Sequence, residues 1–175
     1  FLLCRRMNNY GIVDVVWSYA FTGVAWFYAF AGNGWSMRKL VLASLASAWS
    51  IRLGSHLYKR VMSHHPVEDS RYQQLRIDWK DNFGTMMFGF FQLQALAVVV
   101  LSLPFPLPVH NAVTYFSHWE IVGTAICFLA LCGESVADGQ LAAFRRKPAN
   151  KGQVCNVGLW HYSRHPNYFF EWCIW

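Results

Sequence analysis

The chain has 175 residues, of which 55% are hydrophobic, 18% aromatic and only 14% charged, against the roughly 25% charge of an average soluble domain. That balance argues against a water-soluble globular domain and for a protein that lives in lipid. The net charge of +6 gathers between and beside the apolar runs, so it reads as loop charge and does not imply nucleic acid.

In chain order, the basic "CRRMNNY" precedes a first predicted span from about Tyr10 to Ala31. The turn "GNGWS" leads into a second span, about Arg38 to Tyr58. Residues 59–81 are too charged to be membrane-buried. A third span, Asn82 to Leu103, ends at "PFPLP", whose prolines remove backbone donors and stop a helix. The fourth runs from Trp119 to about Ala137 and continues into the polar "DGQLAAFRRKPANKGQ"; a fifth starts near Asn167. Each complete span approaches or exceeds the ~20 residues needed to cross a bilayer. With no internal repeat or low-complexity linker, residues 1–175 read as one all-α, multi-span transmembrane domain of about four complete spans and the start of a fifth. A first residue of Phe1 and a last residue of Trp175 inside an apolar run suggest a chain incomplete at both ends, and a fragment inactive by itself.

Lys59, Arg60, Arg71, Arg76 and Lys80 follow the second span; Arg145, Arg146, Lys147, Lys151 and Arg164 follow the fourth; residues 104–118 carry no Lys or Arg. The positive-inside rule puts both basic segments on the cytoplasmic side of a multi-pass protein, which strands Arg38 and Lys39 on the other side. Cys4, Cys127, Cys132, Cys155 and Cys173 form no CxxC pair and read as small buried hydrophobes.

Charged groups inside spans cost a few kcal/mol and normally face a bundle interior or a wet cavity. Asp14, Arg52, Glu134 and Asp138 are the instances here. Glu134, Asp138 and Arg145 stand at i, i+4 and i+11, on one helical face. Two readings stay open: a helix-end salt bridge with a snorkelling arginine, or a stripe that binds a ligand across the helix end. His161 and His165 have a chelating i, i+4 spacing, but Pro166 disfavours a helical His165 and no further ligands lie nearby, so no metal is assigned. His64 and His65 read as part of a solvated turn. Trp17, Trp26, Trp35, Trp79, Trp119, Trp160 and Trp172 fall near span ends, as an interfacial belt would. That belt does not account for Arg164, Asn167 and Glu171 in one stretch. On a helix, Asn167 and Glu171 are one turn apart, and a carboxamide with a carboxyl group can recognise an amide or a ribose by directed hydrogen bonds.

The stretch "ESVADGQLAAFRRKPANKGQVCNVGLWHYSRHPNYFFE" resembles the C-terminal part of the membrane steroid 5-alpha-reductase family, especially its bacterial branch. The matching elements are Asp138 with Arg145 seven residues later, Gly158-Leu159-Trp160, and Asn167 with Glu171 four residues on. "RLGSHLYKR" and "EDSRYQQLR" extend the resemblance back to roughly residue 50. It implies a helical enzyme of about seven spans that reduces an activated carbon–carbon double bond with NADPH. The substrate would be a small hydrophobic molecule, lipid or steroid-like, met among membrane lipids. It also implies a cytoplasmic cofactor pocket, with Asp138, Arg145, Asn167 and Glu171 as carried-over residues and Glu134, Arg164, His165 and Tyr168 beside them. The steroid enzymes polarise the substrate carbonyl with a Glu and a Tyr. Here His56-Leu57 stands at the His-Tyr position, Tyr58 follows as the candidate catalytic hydroxyl, and no Glu matches. Phe170 stands where the bacterial branch usually has Gly, a bulk expected to narrow the pocket. "SRHPNY" also resembles the isoprenylcysteine carboxyl methyltransferases, which bind S-adenosylmethionine; that is the alternative reading.

Overall fold

The computed structural model describes all 175 residues. Their regular structure is all helical, with α1 (Leu2–Met7), α2 (Ile12–Ala31), α3 (Ser36–His64), α4 (Ser70–Asp78), α5 (Phe83–Leu101), α6 (Pro106–Val109), α7 (His118–Arg145), α8 (Leu159–Tyr162) and α9 (Pro166–Ile174). They form two compact units, Phe1–Thr114 and Tyr115–Trp175. Three helices, α2, α5 and α7, are long and apolar enough to cross a membrane. This is the framework of a helical membrane protein. At 29 residues α3 is also long enough, but with its serines, Arg52 and His56 it is not apolar enough to qualify on composition.

In the first unit α2 and α3 pack as a hairpin through small and hydroxyl-bearing residues. Hydrocarbon offers helices little hydrophobic drive to associate, so close approach and hydrogen bonds hold them together. Ser50 Oγ donates to the Ser18 carbonyl at 2.5 Å and accepts from Thr22 Oγ1 at 2.8 Å. Trp26 Nε1 donates to Ser47 Oγ at 3.1 Å, and the Tyr19 and Ser55 hydroxyls pair at 2.9 Å. Gly54 makes room for the Tyr19 ring: a Cβ there would stand 2.8 Å from Cζ. Trp17, Phe21 and Trp49 meet edge to face.

The turn between these helices is tied to the segment after α5. Gly32 and Gly34 let backbone come close, since a Cβ on either would strike carbonyl oxygens of Val109 or Asn111 within 2.7 Å. Arg38 is 3% exposed and donates from Nη1 to the carbonyls of Asn111 (2.9 Å) and Val113 (2.8 Å). Lys39 Nζ donates to the Gly32 carbonyl at 2.9 Å. The two cations that fit the loop-charge count poorly are therefore held by backbone oxygens and are not open loop charges.

The polar segment after α3 docks α4 onto the chain's first residues. Cys4, Tyr10, Ile12, Val13, Tyr72 and Met87 make a buried cluster, flanked by Val61, Leu75, Trp79 and Phe83. Above it, Glu68, 8% exposed, accepts from the Tyr10 amide and from Arg76 Nε, each at 2.6 Å. The Arg76 guanidinium also lies over the rings of Tyr10 and Phe83 at 5.0 and 4.9 Å. Asp14, expected among the intramembrane charges, sits in the first turn of α2, where it accepts from the Tyr72 hydroxyl (2.8 Å) and Arg71 (3.0 Å). Burial and the Asp14 charge push the Tyr72 hydroxyl up, so it stays a donor. Asp69 caps α4 and pairs with Arg60 at 2.6 Å and Arg71 at 3.0 Å. Burial alone would raise its pKa, but the Arg71 hydrogen bonds and the charges of Arg71 and Arg60 outweigh it and hold the carboxyl below its usual range.

In the second unit α7 starts with a capping box, Ser117 and Glu120 each satisfying the other's backbone N–H. Its 28 residues run to Arg145, about 42 Å at 1.5 Å per residue. The chain then turns back, and α8 and α9 pack against α7.

Candidate functional site

Two features of α7 fix where α8 and α9 land. Gly158 has φ +57°, a left-handed conformation that glycine tolerates, and a Cβ there would collide with the Gln140 side chain. Gln140 Oε1 accepts from the Leu159 amide at 2.8 Å, and Trp160 Nε1 donates to the Ala137 carbonyl at 2.8 Å. Seven residues before Gln140, Gly133 leaves a notch that the Phe170 ring fills; a Cβ there would lie 2.5 Å from Cζ and 2.7 Å from Cδ1. The Phe170 ring packs against α7 in this notch and is not among the residues that line the cleft described below.

With α9 seated, Asn167 faces Asp138. Asn167 Nδ2 donates to Asp138 Oδ1 at 3.3 Å, while Asn167 Oδ1 is buried and makes no hydrogen bond. A buried acceptor left open costs roughly 1–3 kcal/mol unless a partner arrives. One turn along, Glu171 Oε1 accepts from Trp175 Nε1 at 3.2 Å. Glu134 is 5% exposed on α7, four residues before Asp138. His165 precedes α9, and its ring stacks on Tyr168, centroids 5.4 Å apart.

At the end of α7 a cleft of about 930 Å³ opens between the helix terminus, the following turn and α8. Its lining includes Arg145, Arg146, Lys147, Lys151 and Arg164, with His165, and no acidic residue. Trp160, Leu141 and Phe144 supply apolar wall, and Cys155 is buried there. None of the five Lys and Arg makes an ion pair, unlike Arg60, Arg71 and Arg76 of the first unit. Idle cations crowded on one cleft repel one another, and a polyanion relieves that repulsion.

Of the residues read from sequence, the cleft brings together Arg145, Arg164 and His165, and the α7–α9 contact brings together Asp138 and Asn167. Tyr168 is 69% exposed beside His165, and Glu171 lies on the same helix as Asn167. Tyr58 belongs to the first unit, where it is 53% exposed on α3. In sequence Arg146, Lys147 and Lys151 read only as loop charge; their density, three in six residues, is the signal that sets them apart as lining one cleft.

No curated protein and no solved structure matches the chain. One family model matches residues 1–175, and the chain belongs to that family, described as a protein of unknown function (DUF1295).

Proposed function

We propose that the protein is a membrane reductase that uses NADPH to saturate an activated carbon–carbon double bond in a small, enone-like hydrophobic substrate. The observation that carries this reading is the cleft lined by five Lys and Arg that make no ion pair and by no acidic residue. A dinucleotide brings several negative phosphate charges for the cations. The stretch from Glu134 to Glu171 that resembles the steroid 5-alpha-reductases supports the same choice. S-adenosylmethionine fits less well, because its sulfonium and ammonium groups outnumber its one carboxylate and a positive ligand is repelled by the same cleft.

Under this reading Arg145 and Arg164 hold phosphate, and Trp160, pinned to Ala137, gives the cleft a fixed aromatic wall. Asn167, oriented by Asp138, positions the cofactor's amide end. When bound, NADPH supplies hydride. For the acceptor's carbonyl oxygen, where negative charge grows, the resemblance alone nominates a donor, the Tyr58 hydroxyl of the first unit.

Calorimetry on the detergent-purified protein tests the proposal. NADPH binds, S-adenosylmethionine does not, and Asn167→Ala weakens NADPH. Binding of S-adenosylmethionine without NADPH, or an Asn167→Ala variant with the parent's affinity, overturns it.

A further inference from the structure

We infer that the elbow after α7, through Arg146, Lys147 and Lys151, is the element that selects a nucleotide carrying an extra phosphate monoester. In the reading above, it distinguishes NADPH from NADH. The inference rests on that reading and adds residues to it.

The elbow is a built structure. Asn150 Nδ2 donates to the Phe144 carbonyl at 2.8 Å, closing the last turn of α7 onto the 3-10 turn Pro148–Asn150. The Asn150 amide donates to the Lys147 carbonyl (2.9 Å), the Lys151 amide to Pro148 (3.1 Å) and the Gln153 amide to Asn150 (3.0 Å). Gly152, at φ +81°, then turns the chain toward buried Cys155. Arg146, Lys147 and Lys151 thus project from one knotted stretch of backbone and line the same cleft.

The charge count makes the assignment. A dinucleotide's pyrophosphate carries roughly two negative charges, which Arg145 and Arg164 match, one for each. The other three cations of the cleft, all on the elbow, are left over, and no acid lines the cleft to balance them. A phosphate monoester adds about −1.5 to −2 near neutral pH, with three acceptor oxygens. Lysine ammoniums are compact point charges suited to such a group, and the guanidinium can bind two of its oxygens at once. A lipid headgroup such as phosphatidic acid carries the same monoester. The nucleotide is favoured because the elbow shares its cleft with Arg164, His165 and the apolar wall of Trp160, Leu141 and Phe144.

The test compares the parent protein with Lys147→Ala/Lys151→Ala, both positions being solvent-exposed. NADPH, NADH, 2′,5′-ADP and 5′-AMP are titrated in detergent, and phosphatidic acid vesicles serve as competitor. The expected result is a parent that prefers NADPH to NADH and 2′,5′-ADP to 5′-AMP. The variant loses about tenfold on the two monoester-bearing nucleotides, the scale of one charge-assisted hydrogen bond, while NADH and 5′-AMP are held as before. Equal losses on NADPH and NADH overturn the inference while leaving the NADPH reading intact. Displacement of NADPH by phosphatidic acid, with none by 2′,5′-ADP, also overturns it. A parent that binds neither dinucleotide removes the reading and the inference together.

Discussion

Replacing Gly133 with alanine perturbs the proposed cofactor site through the α7–α9 contact. A Cβ at 133 would lie 2.5 Å from Phe170 Cζ, whereas carbon atoms pack at about 3.5–4.0 Å, so the contact must open by about 1.0–1.5 Å. Swinging the ring out of the notch breaks its edge-to-face contact with Phe169, 5.4 Å away. The alternative is for α9 to move off α7. Asn167 is three residues before Phe170 on the same helix, and its 3.3 Å bond to Asp138 is already long. Half of the required displacement takes it past the ~3.5 Å limit of a real hydrogen bond. Overpacking costs roughly 1–3 kcal/mol of stability. Loss of the bond that orients Asn167 costs about 1–2 kcal/mol, some five- to thirtyfold in NADPH affinity. Thermal unfolding and calorimetric NADPH titration of Gly133→Ala, Phe170→Ala and the double variant measure both effects. The double variant should be better than the sum of the two single changes, because one methyl enters the space that the ring vacates. A Gly133→Ala protein with the parent's melting temperature and NADPH affinity would refute this coupling.

Two further outcomes concern the first unit. Arg76→Ala strands Glu68 in a site where it is 8% exposed and removes the cation from two aromatic faces. It should cost roughly 3–5 kcal/mol, read as earlier thermal unfolding with Trp79 fluorescence changing in the same transition; a loss below about 1 kcal/mol contradicts the docking described. Asp69 has a depressed pKa, so its contribution is present above the unfolded value of about 3.9 and is lost as pH falls through the lower folded value. Asp69→Asn keeps the α4 cap but not the ion pairs, and should flatten the drop in melting temperature on going from neutral pH to below about pH 4; an unchanged acid limb assigns that drop to other carboxyls.

The apolar helices were legible because length and hydropathy are local properties. α2 and α5 match the expected first and third spans to within two residues at each end, and α7 starts one residue before the expected fourth span but runs on from Ala137 to Arg145 through the stretch read as a polar extension. What sequence could not show were relations across the chain. Gly133 inside an apolar run reads as an ordinary helical residue until Phe170, 37 positions later, is seen in its notch. The spacing of Glu134, Asp138 and Arg145 put them on one face but could not say that Asn167 would meet Asp138. Lys and Arg look alike in a sequence whether engaged or idle. Arg71 and Arg76 are held by acids, whereas Arg145 and Lys147 line an open cleft, and only the fold separates the two kinds.

The tie between Arg38 and the carbonyls of Asn111 and Val113 also bears on how the protein is made. Arg38 and its nearer acceptor are 73 residues apart. At a synthesis rate of roughly 5–20 residues per second that separation is about 4–15 s of elongation. Throughout that interval Arg38 lacks these two carbonyl oxygens as acceptors. The α2–α3 hairpin thus gains these two acceptors only after α5 and the proline-rich turn have been made.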